Sequence, residues 1–123
     1  MEFSIIIPTF KNYKYCKLTI DSIKKNSSYN HEIIVHLNGN DEQTEKFLIK
    51  NDLVYTKSPD NIGLCSGVNL AAKKSSKNYI LYSHDDMYFL PDWDNALVSE
   101  IKSLQNNNFY FSMTQISYTG PVK

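Results

Sequence analysis

The chain has 123 residues, of which 41% are hydrophobic and 13% aromatic, enough to build the core of one domain. Thirteen basic residues balance thirteen acidic ones, so the chain has no broad positive field to attract nucleic acid or an anionic membrane. We therefore expect no nucleic-acid partner, and any recognition of phosphate must be local.

Apolar runs of strand length alternate with segments of helical periodicity, which is typical of a mostly parallel sheet with helices on its faces. The first predicted strand, over 3–7, contains the unbroken run Ile5-Ile6-Ile7, as expected when both faces of a strand are covered. The next predicted elements are a helix over about 13–26, a strand over 32–37, a helix around 44–48 and a short peripheral strand over 53–56.

The second half of the chain continues the alternation. A helix is predicted over 63–75, where Gly67, Ala71 and Ala72 keep the side facing the sheet small. A strand over 79–82 follows, and a fifth strand is predicted over 109–113. Between these strands an amphipathic helix is indicated by apolar residues every three or four positions after Pro91, namely Trp93, Leu97, Ile101 and Leu104. Because no repeat or linker interrupts the pattern, we predict one domain over 1–123.

The two cysteines, Cys16 and Cys65, are far apart in the sequence and lack the spacing of a metal site. We interpret both as small buried residues of a reducing compartment, which predicts a cytoplasmic protein. The opening apolar run has no basic leader and is interrupted by Pro8, so we expect neither a signal peptide nor a membrane span. Peripheral association with a membrane is left open.

Polar clusters follow the predicted strands at their carboxyl ends, where open α/β sheets bind their ligands. These clusters are Pro8-Thr9, Asn38-Gly39 and His84-Asp85-Asp86. Each cluster alone is explained as well by a strand end or a turn. Their joint placement favours a common ligand site.

The tripeptide His84-Asp85-Asp86 places two carboxylates and an imidazole where the strand over 79–82 ends. Adjacent acids repel each other, and both stay ionised most easily when solvent or a hard cation shares their charge. A solvated turn is the ordinary alternative for an Asp-Asp pair. A bound divalent cation would in turn indicate a ligand that carries phosphate.

Several familiar sites are excluded by missing motifs. The chain has no Gly-x-Gly-x-x-Gly after its first strand and no Gly-x-x-x-x-Gly-Lys-Ser/Thr loop, which argues against dinucleotide-binding and P-loop sites. It also lacks the Gly-x-Ser-x-Gly elbow of a serine hydrolase. A nucleotidylyltransferase is disfavoured because the segment 9–13 is neither rich in glycine nor strongly basic.

Four segments, in this order, carry a resemblance to a known family. They are Ser4-Ile5-Ile6-Ile7-Pro8-Thr9-Phe10, the strand and acidic turn over 32–41, Asn61-Ile62-Gly63 with Gly67 and Asn69, and the segment 79–93 with its acidic pair and Pro91-Asp92-Trp93. They resemble the nucleotide-diphospho-sugar transferases of glycosyltransferase family 2 over nearly the whole chain. The resemblance implies an α/β, Rossmann-like GT-A fold with a mostly parallel sheet and helices on both faces.

The resemblance also implies the residues of a site. The nucleotide-binding residues it implies are Pro8, Thr9, Phe10, Asn38, Asn61, Gly63, Asn69 and Asp85, and the implied ligands of Mn²⁺ or Mg²⁺ are Asp86 and His84. Asn38 replaces an aspartate that contacts the base in the family, and Val68 replaces a basic residue. Alignment through Pro91 and Trp93 pairs Asp86 with His84 in the Asp-x-Asp metal motif, whereas alignment through the acidic pair favours Asp85 with Asp86.

The activity that the resemblance implies is transfer of a sugar from a nucleotide-diphosphate sugar to a hydroxyl of a saccharide, lipid or protein acceptor, with inversion and with help from the cation. The general base is not identified among these residues, because in the family it lies in a C-terminal acceptor half that we expect this chain to lack. A non-catalytic nucleotide-sugar-binding module, or a fragment of a transferase without an acceptor site, is the alternative. Formation of a homodimer is left open.

Overall fold

The structure is a computed structural model that describes residues 1–113. Strands and helices alternate as the sequence predicts. In chain order they are β1 (Phe3–Thr9), α1 (Tyr13–Asn26), β2 (Glu32–Asn38), α2 (Glu42–Lys50), β3 (Val54–Ser58), α3 (Leu64–Ala72), β4 (Tyr79–Tyr82) and α4 (Trp93–Ser103). Within residues 1–113, no helix combines the length and the apolar composition needed to cross a lipid bilayer.

The strands form one four-stranded sheet in the order β3-β2-β1-β4, and all neighbouring pairs are parallel. The chain first builds outward from β1 through β2 to β3, and then returns to place β4 on the other side of β1. In parallel sheets of this kind the crevice at such a reversal, outside the carboxyl ends of the strands, is where ligands bind. The topology therefore directs attention to the ends of β1 and β4.

Alternating side chains divide the core between the two faces of the sheet. Phe3, Ile5 and Ile7 point to the face covered by α1, α2 and α4, where they join the larger buried cluster. Ile6 points to the opposite face, where it packs on Ala71 of α3. Helices therefore cover both faces, as predicted, and the unbroken isoleucine run of β1 is explained by burial on both sides.

β1 continues through Pro8 to Thr9, beyond the predicted strand of 3–7. The N–H of Ser83 donates to the carbonyl of Ile6, so the backbone groups of Ile6 face β4. The backbone nitrogen of residue 8 faces the same side of β1, because backbone groups two residues apart in a strand point the same way. β4 ends opposite Ile6, so the donor that proline lacks interrupts no bond of the sheet. The prediction that Pro8 ends the strand was therefore wrong.

Two further predictions need correction. No strand forms over 109–113, where Phe109 instead stacks on Tyr79 at 5.7 Å between ring centroids and Tyr110 is 90% exposed. β4 is thus the edge of the sheet within the described residues. Cys16 is buried as expected, but Cys65 lies near the start of α3 with its side chain exposed.

The start of α4 is fastened to the segment between α1 and β2 by the buried carboxylate of Asp94. Its Oδ2 accepts hydrogen bonds from the N–H groups of Ser28, at 2.7 Å, and Tyr29, at 2.9 Å. Nε2 of His31 lies 3.0 Å from the same oxygen. Because the Asp94 side chain is fully buried, these bonds replace all of its contacts with water.

Candidate functional site

The end of β1 and the acidic segment after β4 meet at the reversal of the strand order. Oγ1 of the buried Thr9 donates to Oδ2 of Asp85 at 2.6 Å, although the two residues are far apart in the sequence. Thr9 is two residues beyond Ile7 on the same strand, so its side chain points to the same face of the sheet as Ile7, the face covered by α1, α2 and α4. One carboxylate oxygen of Asp85 is thereby engaged, and the other is left for a ligand.

The neighbouring Asp86 and His84 are both exposed. Among residues 1–113 the Asp86 carboxylate accepts no hydrogen bond, whereas the His84 ring contacts the edge of Tyr82, with 5.3 Å between the centroids. Burial, followed by the charge of Asp85, raises the pKa of Tyr82 and keeps its phenol neutral. Within residues 1–113, Asp86 is therefore the acid of this segment with both carboxylate oxygens free, whereas Asp85 has one oxygen engaged by Thr9.

The described residues contain no cluster of three or more His, Cys, Asp or Glu side chains close enough to hold a metal by themselves. The donors present are instead one exposed carboxylate, Asp86, and one exposed imidazole, His84. The carboxylate of Asp86 suits Mg²⁺ or Mn²⁺, which often keep few protein ligands and take the rest from phosphates and water, whereas the ring nitrogen of His84 is a less usual ligand of these hard cations. The residues thus fit a cation shared with a phosphate ligand.

At the end of β2 the buried side chain of Asn38 holds the loop that leads into α3. Its Oδ1 accepts a hydrogen bond from the N–H of Ile62 at 2.7 Å, and its Nδ2 donates to the carbonyl of Gly63 at 3.1 Å. Both polar groups of the amide are therefore used within the protein. A carboxylate here would retain the first bond but present an oxygen to the Gly63 carbonyl.

We accordingly expect Asn38→Asp to lower the free energy of unfolding by about 1 kcal/mol at neutral pH, because a buried donor is replaced by a repelling acceptor. The loss should shrink in acid, where the protonated carboxyl can donate to the Gly63 carbonyl. Urea denaturation across a pH series measures both effects. Asn40→Asp, at an exposed position, is the matched control, and an equal loss in that variant would contradict this role of Asn38.

The rim of the crevice beside β2 is formed by Phe10, Gly39 and Asn61. A Cβ atom added at Gly39 would lie 3.5 Å from the Phe10 ring and 3.8 Å from the backbone nitrogen of Asn61, so the three residues are neighbours. Asn61 Oδ1 also accepts from the N–H of Gly63 at 2.9 Å. Phe10 is 50% exposed, and Nζ of Lys11 lies over its ring at 5.5 Å from the centroid.

The structure thus brings most of the sequence-predicted residues to one edge of the sheet, in two groups. Phe10, Asn38, Asn61 and Gly63 surround the end of β2, and Thr9, His84, Asp85 and Asp86 lie at the ends of β1 and β4. Pro8 is buried within β1. Asn69 lies further along α3, with an exposed side chain that forms no hydrogen bond within the described residues.

Sequence reasoning missed the polar side chains of α1 that contact the acidic segment. Thr19 donates to the carbonyl of Asp85, Ser22 accepts from the N–H of Phe89, and Asn26 donates to the carbonyl of Phe89. Their signal was present, since positions 19, 22 and 26 recur at helical spacing on the inner side of α1. On the same side, the apolar residues Cys16, Ile20 and Ile23 dominate the pattern.

The thiol nearest the acidic segment is unreactive. Cys16 is buried on the inner side of α1, and burial, reinforced by the charge of Asp85, raises the pKa of its thiol to about 12. The thiolate is the nucleophilic form of cysteine, so Cys16 serves packing rather than chemistry.

Comparison with known proteins identifies the family of the chain. The profile described as Glycosyl transferase family 2 matches residues 4–121. The chain belongs to glycosyltransferase family 2. An uncharacterized glycosyltransferase of Rickettsia bellii (strain RML369-C) is 33% identical to this family 2 chain over 117 residues, covering 92% of the chain and 16% of that relative. The resemblance predicted from the four sequence segments is therefore confirmed.

Two solved structures share the fold of the chain. S. aureus TarS 1-349, in complex with UDP-GlcNAc, superposes with a TM-score of 0.74 at 23% identity over 83% of the family 2 chain and 31% of TarS. The mannosyltransferase PcManGT from Pyrobaculum calidifontis, in complex with GDP-Man and Mn²⁺, superposes with a TM-score of 0.68 at 16% identity, over 85% of the family 2 chain and 32% of PcManGT. These likenesses confirm the predicted GT-A fold. The family 2 chain spans less than a third of each of these proteins.

Proposed function

We propose that the family 2 chain binds a nucleotide-diphosphate sugar at the carboxyl edge of its sheet and forms the donor-binding part of a glycosyltransferase. The observation that carries this proposal is the 2.6 Å hydrogen bond from Thr9 to Asp85. It joins the end of β1 to the acidic segment in the crevice where sheets of this topology bind their ligands. Asp86 lies next to that bond with a free carboxylate.

The nucleoside is assigned to the side of the crevice next to β2. The half-exposed ring of Phe10 offers an apolar surface for a base, and both the backbone nitrogen of Asn61 and Nζ of Lys11, 5.5 Å from the ring centroid, lie near it. Asn38 supports this side indirectly by holding the loop. Asp85 is oriented by Thr9 and keeps one oxygen to accept a hydrogen bond from a ribose hydroxyl.

The diphosphate is assigned to the neighbourhood of Asp86. Asp86, with His84 as the second candidate, would hold Mn²⁺ or Mg²⁺ together with oxygens of the ligand. When bound, the cation offsets the negative charge that develops on the departing diphosphate. PcManGT, whose structure contains both GDP-Man and Mn²⁺, is a precedent for this combination on the same fold.

The reaction is sugar transfer with inversion. The acceptor oxygen forms a bond to the anomeric carbon while the bond from that carbon to the diphosphate breaks, and a general base takes the acceptor's proton. We assign the base and most acceptor contacts to protein outside the donor-binding part, because the relatives are more than three times as long as the region they share with this chain. The acceptor is a saccharide, lipid or protein hydroxyl.

Calorimetric titration tests the binding site. UDP, GDP and CDP, each with and without Mn²⁺, are titrated into the unmodified chain and into Asp86→Ala. We expect Mn²⁺ to strengthen binding of one nucleotide, and Asp86→Ala to weaken binding in the presence of Mn²⁺ by about tenfold or more, since a charged ligand of the cation is lost. Without Mn²⁺ the two proteins should bind alike.

Glu100→Ala removes an exposed carboxylate from α4 and is the matched control. Its affinity with Mn²⁺ should equal that of the unmodified chain. Equal affinities in all three proteins would refute the role assigned to Asp86, and failure of the unmodified chain to bind any of the nucleotides would refute the proposed function.

The second candidate function is a non-catalytic nucleotide-sugar-binding module, because none of the described residues at this edge of the sheet is assigned as the general base that transfer requires. The two functions differ in transfer alone. Incubation with UDP-GlcNAc, Mn²⁺ and saccharide or lipid acceptors, followed by mass spectrometry, separates them. Binding without transfer or hydrolysis supports the module.

A further inference from the structure

The segment that follows β4 is fastened to α1 through its backbone. Oγ1 of Thr19 donates to the carbonyl of Asp85 at 2.9 Å. The hydroxyl of Ser22 accepts from the N–H of Phe89 at 3.0 Å, and Nδ2 of Asn26 donates to the carbonyl of the same Phe89 at 2.6 Å. We call residues 85–89 the acidic loop, and its two ends are thereby tied to one helix.

These hydrogen bonds are made in the protein interior, where a polar side chain lowers stability unless it is hydrogen-bonded. Thr19 and Ser22 are fully buried on a side of α1 that otherwise carries Cys16, Ile20 and Ile23. The Ser22 hydroxyl acts as both donor and acceptor, because it donates to the carbonyl of Thr19 and accepts from the N–H of Phe89. Apolar side chains would fill this space as well, but they could not bond the loop.

The consequence lies in the residues between the two tied ends. Asp86, Met87 and Tyr88 lie between Asp85 and Phe89, so the backbone that carries the free carboxylate is fixed from both sides. The Asp85 side chain is fixed separately by Thr9. The loop is therefore ordered before any ligand arrives, which lowers the entropy lost on binding and places the acids accurately.

We propose that Thr19, Ser22 and Asn26 are positioning residues that hold the acidic loop in the conformation that receives a nucleoside diphosphate with its divalent cation. They act through the loop backbone and not by contact with the ligand. This inference rests on the proposed function of the same site and adds residues of α1 to it.

The test compares variants that remove one bond at a time. Thr19→Val keeps the shape of the side chain without its hydroxyl, Thr19→Ser restores the hydroxyl, and Ser22→Ala removes the bond to Phe89. The probe is whichever of UDP, GDP and CDP the unmodified chain binds most tightly with Mn²⁺. We expect Thr19→Val and Ser22→Ala to bind it about tenfold more weakly, and Thr19→Ser to bind it within about twofold of the unmodified chain.

Ser4→Ala is the matched control, because Ser4 is also a buried serine but bonds Glu32 and the N–H of Lys77 at the opposite, amino end of the sheet. Its nucleotide affinity should be unchanged, even though it loses a buried hydroxyl as Ser22→Ala does. Asn26→Ala, at a half-buried position near the end of α1, is the substitute if a change at 19 or 22 prevents folding.

Amide hydrogen exchange without nucleotide supplies a second measurement. Ser22→Ala should expose the N–H of Phe89 to faster exchange, and Ser4→Ala should not. Faster exchange together with weaker binding supports the inference. Faster exchange with unchanged affinity overturns it, because the contacts would then serve structure alone. If the unmodified chain binds no nucleotide, the proposed function fails first and the inference falls with it.

Discussion

Asp94→Ala is expected to lower the free energy of unfolding by about 3–5 kcal/mol, because it removes one partner of a buried pair and leaves several donors without an acceptor. The N–H groups of Ser28 and Tyr29 and the ring of His31 all bond to the lost oxygen. Small domains are stable by only about 5–15 kcal/mol in total, so the variant should unfold at far lower urea concentrations. Equilibrium urea denaturation measures the loss.

Glu100→Ala on the same helix is the control for this change. Its carboxylate is exposed, and such substitutions alter stability by no more than about 0.5 kcal/mol. If Asp94→Ala were as stable as Glu100→Ala, the buried contacts of Asp94 would contribute nothing and the account of how α4 is fastened would be wrong.

The same pair makes stability depend on pH, and this dependence checks the assignment. The N–H of Phe3 donates to Nδ1 of His31, and Nε2 of His31 donates to Asp94, so the folded ring is neutral. Burial lowers the pKa of His31 below its ordinary 6.5, although the hydrogen bond and charge of Asp94 oppose the shift. Stability is therefore full above pH 6.5 and falls as the pH drops toward the folded pKa, because the unfolded chain binds the proton first.

Asp94 adds a second decline in stability at lower pH. Burial alone would raise its pKa, but hydrogen bonds from the Tyr29 N–H, His31 and the Ser28 N–H hold the pKa below the ordinary 3.8. Its contribution is present above pH 3.8 and is lost as the pH falls through the folded pKa. Burial also lowers the pKa of His36, which contributes the same pH dependence to the unmodified chain and to Asp94→Ala. In Asp94→Ala the fall of the unfolding free energy below pH 6.5 should be larger. The carboxylate that favours protonated His31 is gone, so the pKa of His31 in the folded variant lies further below its ordinary value.

The fold could be predicted from the sequence largely because two periodicities agree along the chain. Runs such as Ile5-Ile6-Ile7 predict strands covered on both sides, and the small residues Gly67 and Ala71 predict a helix close to the sheet. Both predictions are confirmed. The errors arose where a local rule was overridden by position in the sheet. Pro8 stays in β1 because β4 has already ended on that side, which only the register reveals.

The candidate site was less accessible to sequence reasoning than the fold. The motif around Asp85 and Asp86 indicates an acidic edge, but the sequence leaves open which of the acids faces the ligand. The contact with Thr9 separates their environments, and no spacing rule predicts a bond between residues so far apart. Likewise Asn38 was assigned to the base from the family resemblance, and that assignment stays a prediction. Its bonds to Ile62 and Gly63 depend on the path of a loop.

Gly67→Ala is expected to lower the free energy of unfolding by about 2 kcal/mol, against the usual preference of helices for alanine. A Cβ atom at this position would lie 2.7 Å from Cδ2 of His36 on β2. The ring has no room to yield, because it is fully buried and its Nδ1 lies 2.8 Å from Oγ1 of Thr56. Helix α3 must therefore move away from the sheet, and urea denaturation measures the cost.

The displacement should also reach the candidate site. α3 begins directly after Gly63, the residue whose carbonyl Asn38 holds, so a shift of the helix strains that loop. We therefore expect weaker nucleotide binding in Gly67→Ala and no such change in Ser66→Ala, which alters an exposed residue of the same helix. A double-mutant cycle with His36→Ser identifies the cause, because the smaller side chain at position 36 relieves the contact with a Cβ atom at position 67. The losses of unfolding free energy in the two single variants should then sum to more than the loss in the double variant. Strictly additive losses would mean that His36 is not what excludes a side chain at position 67.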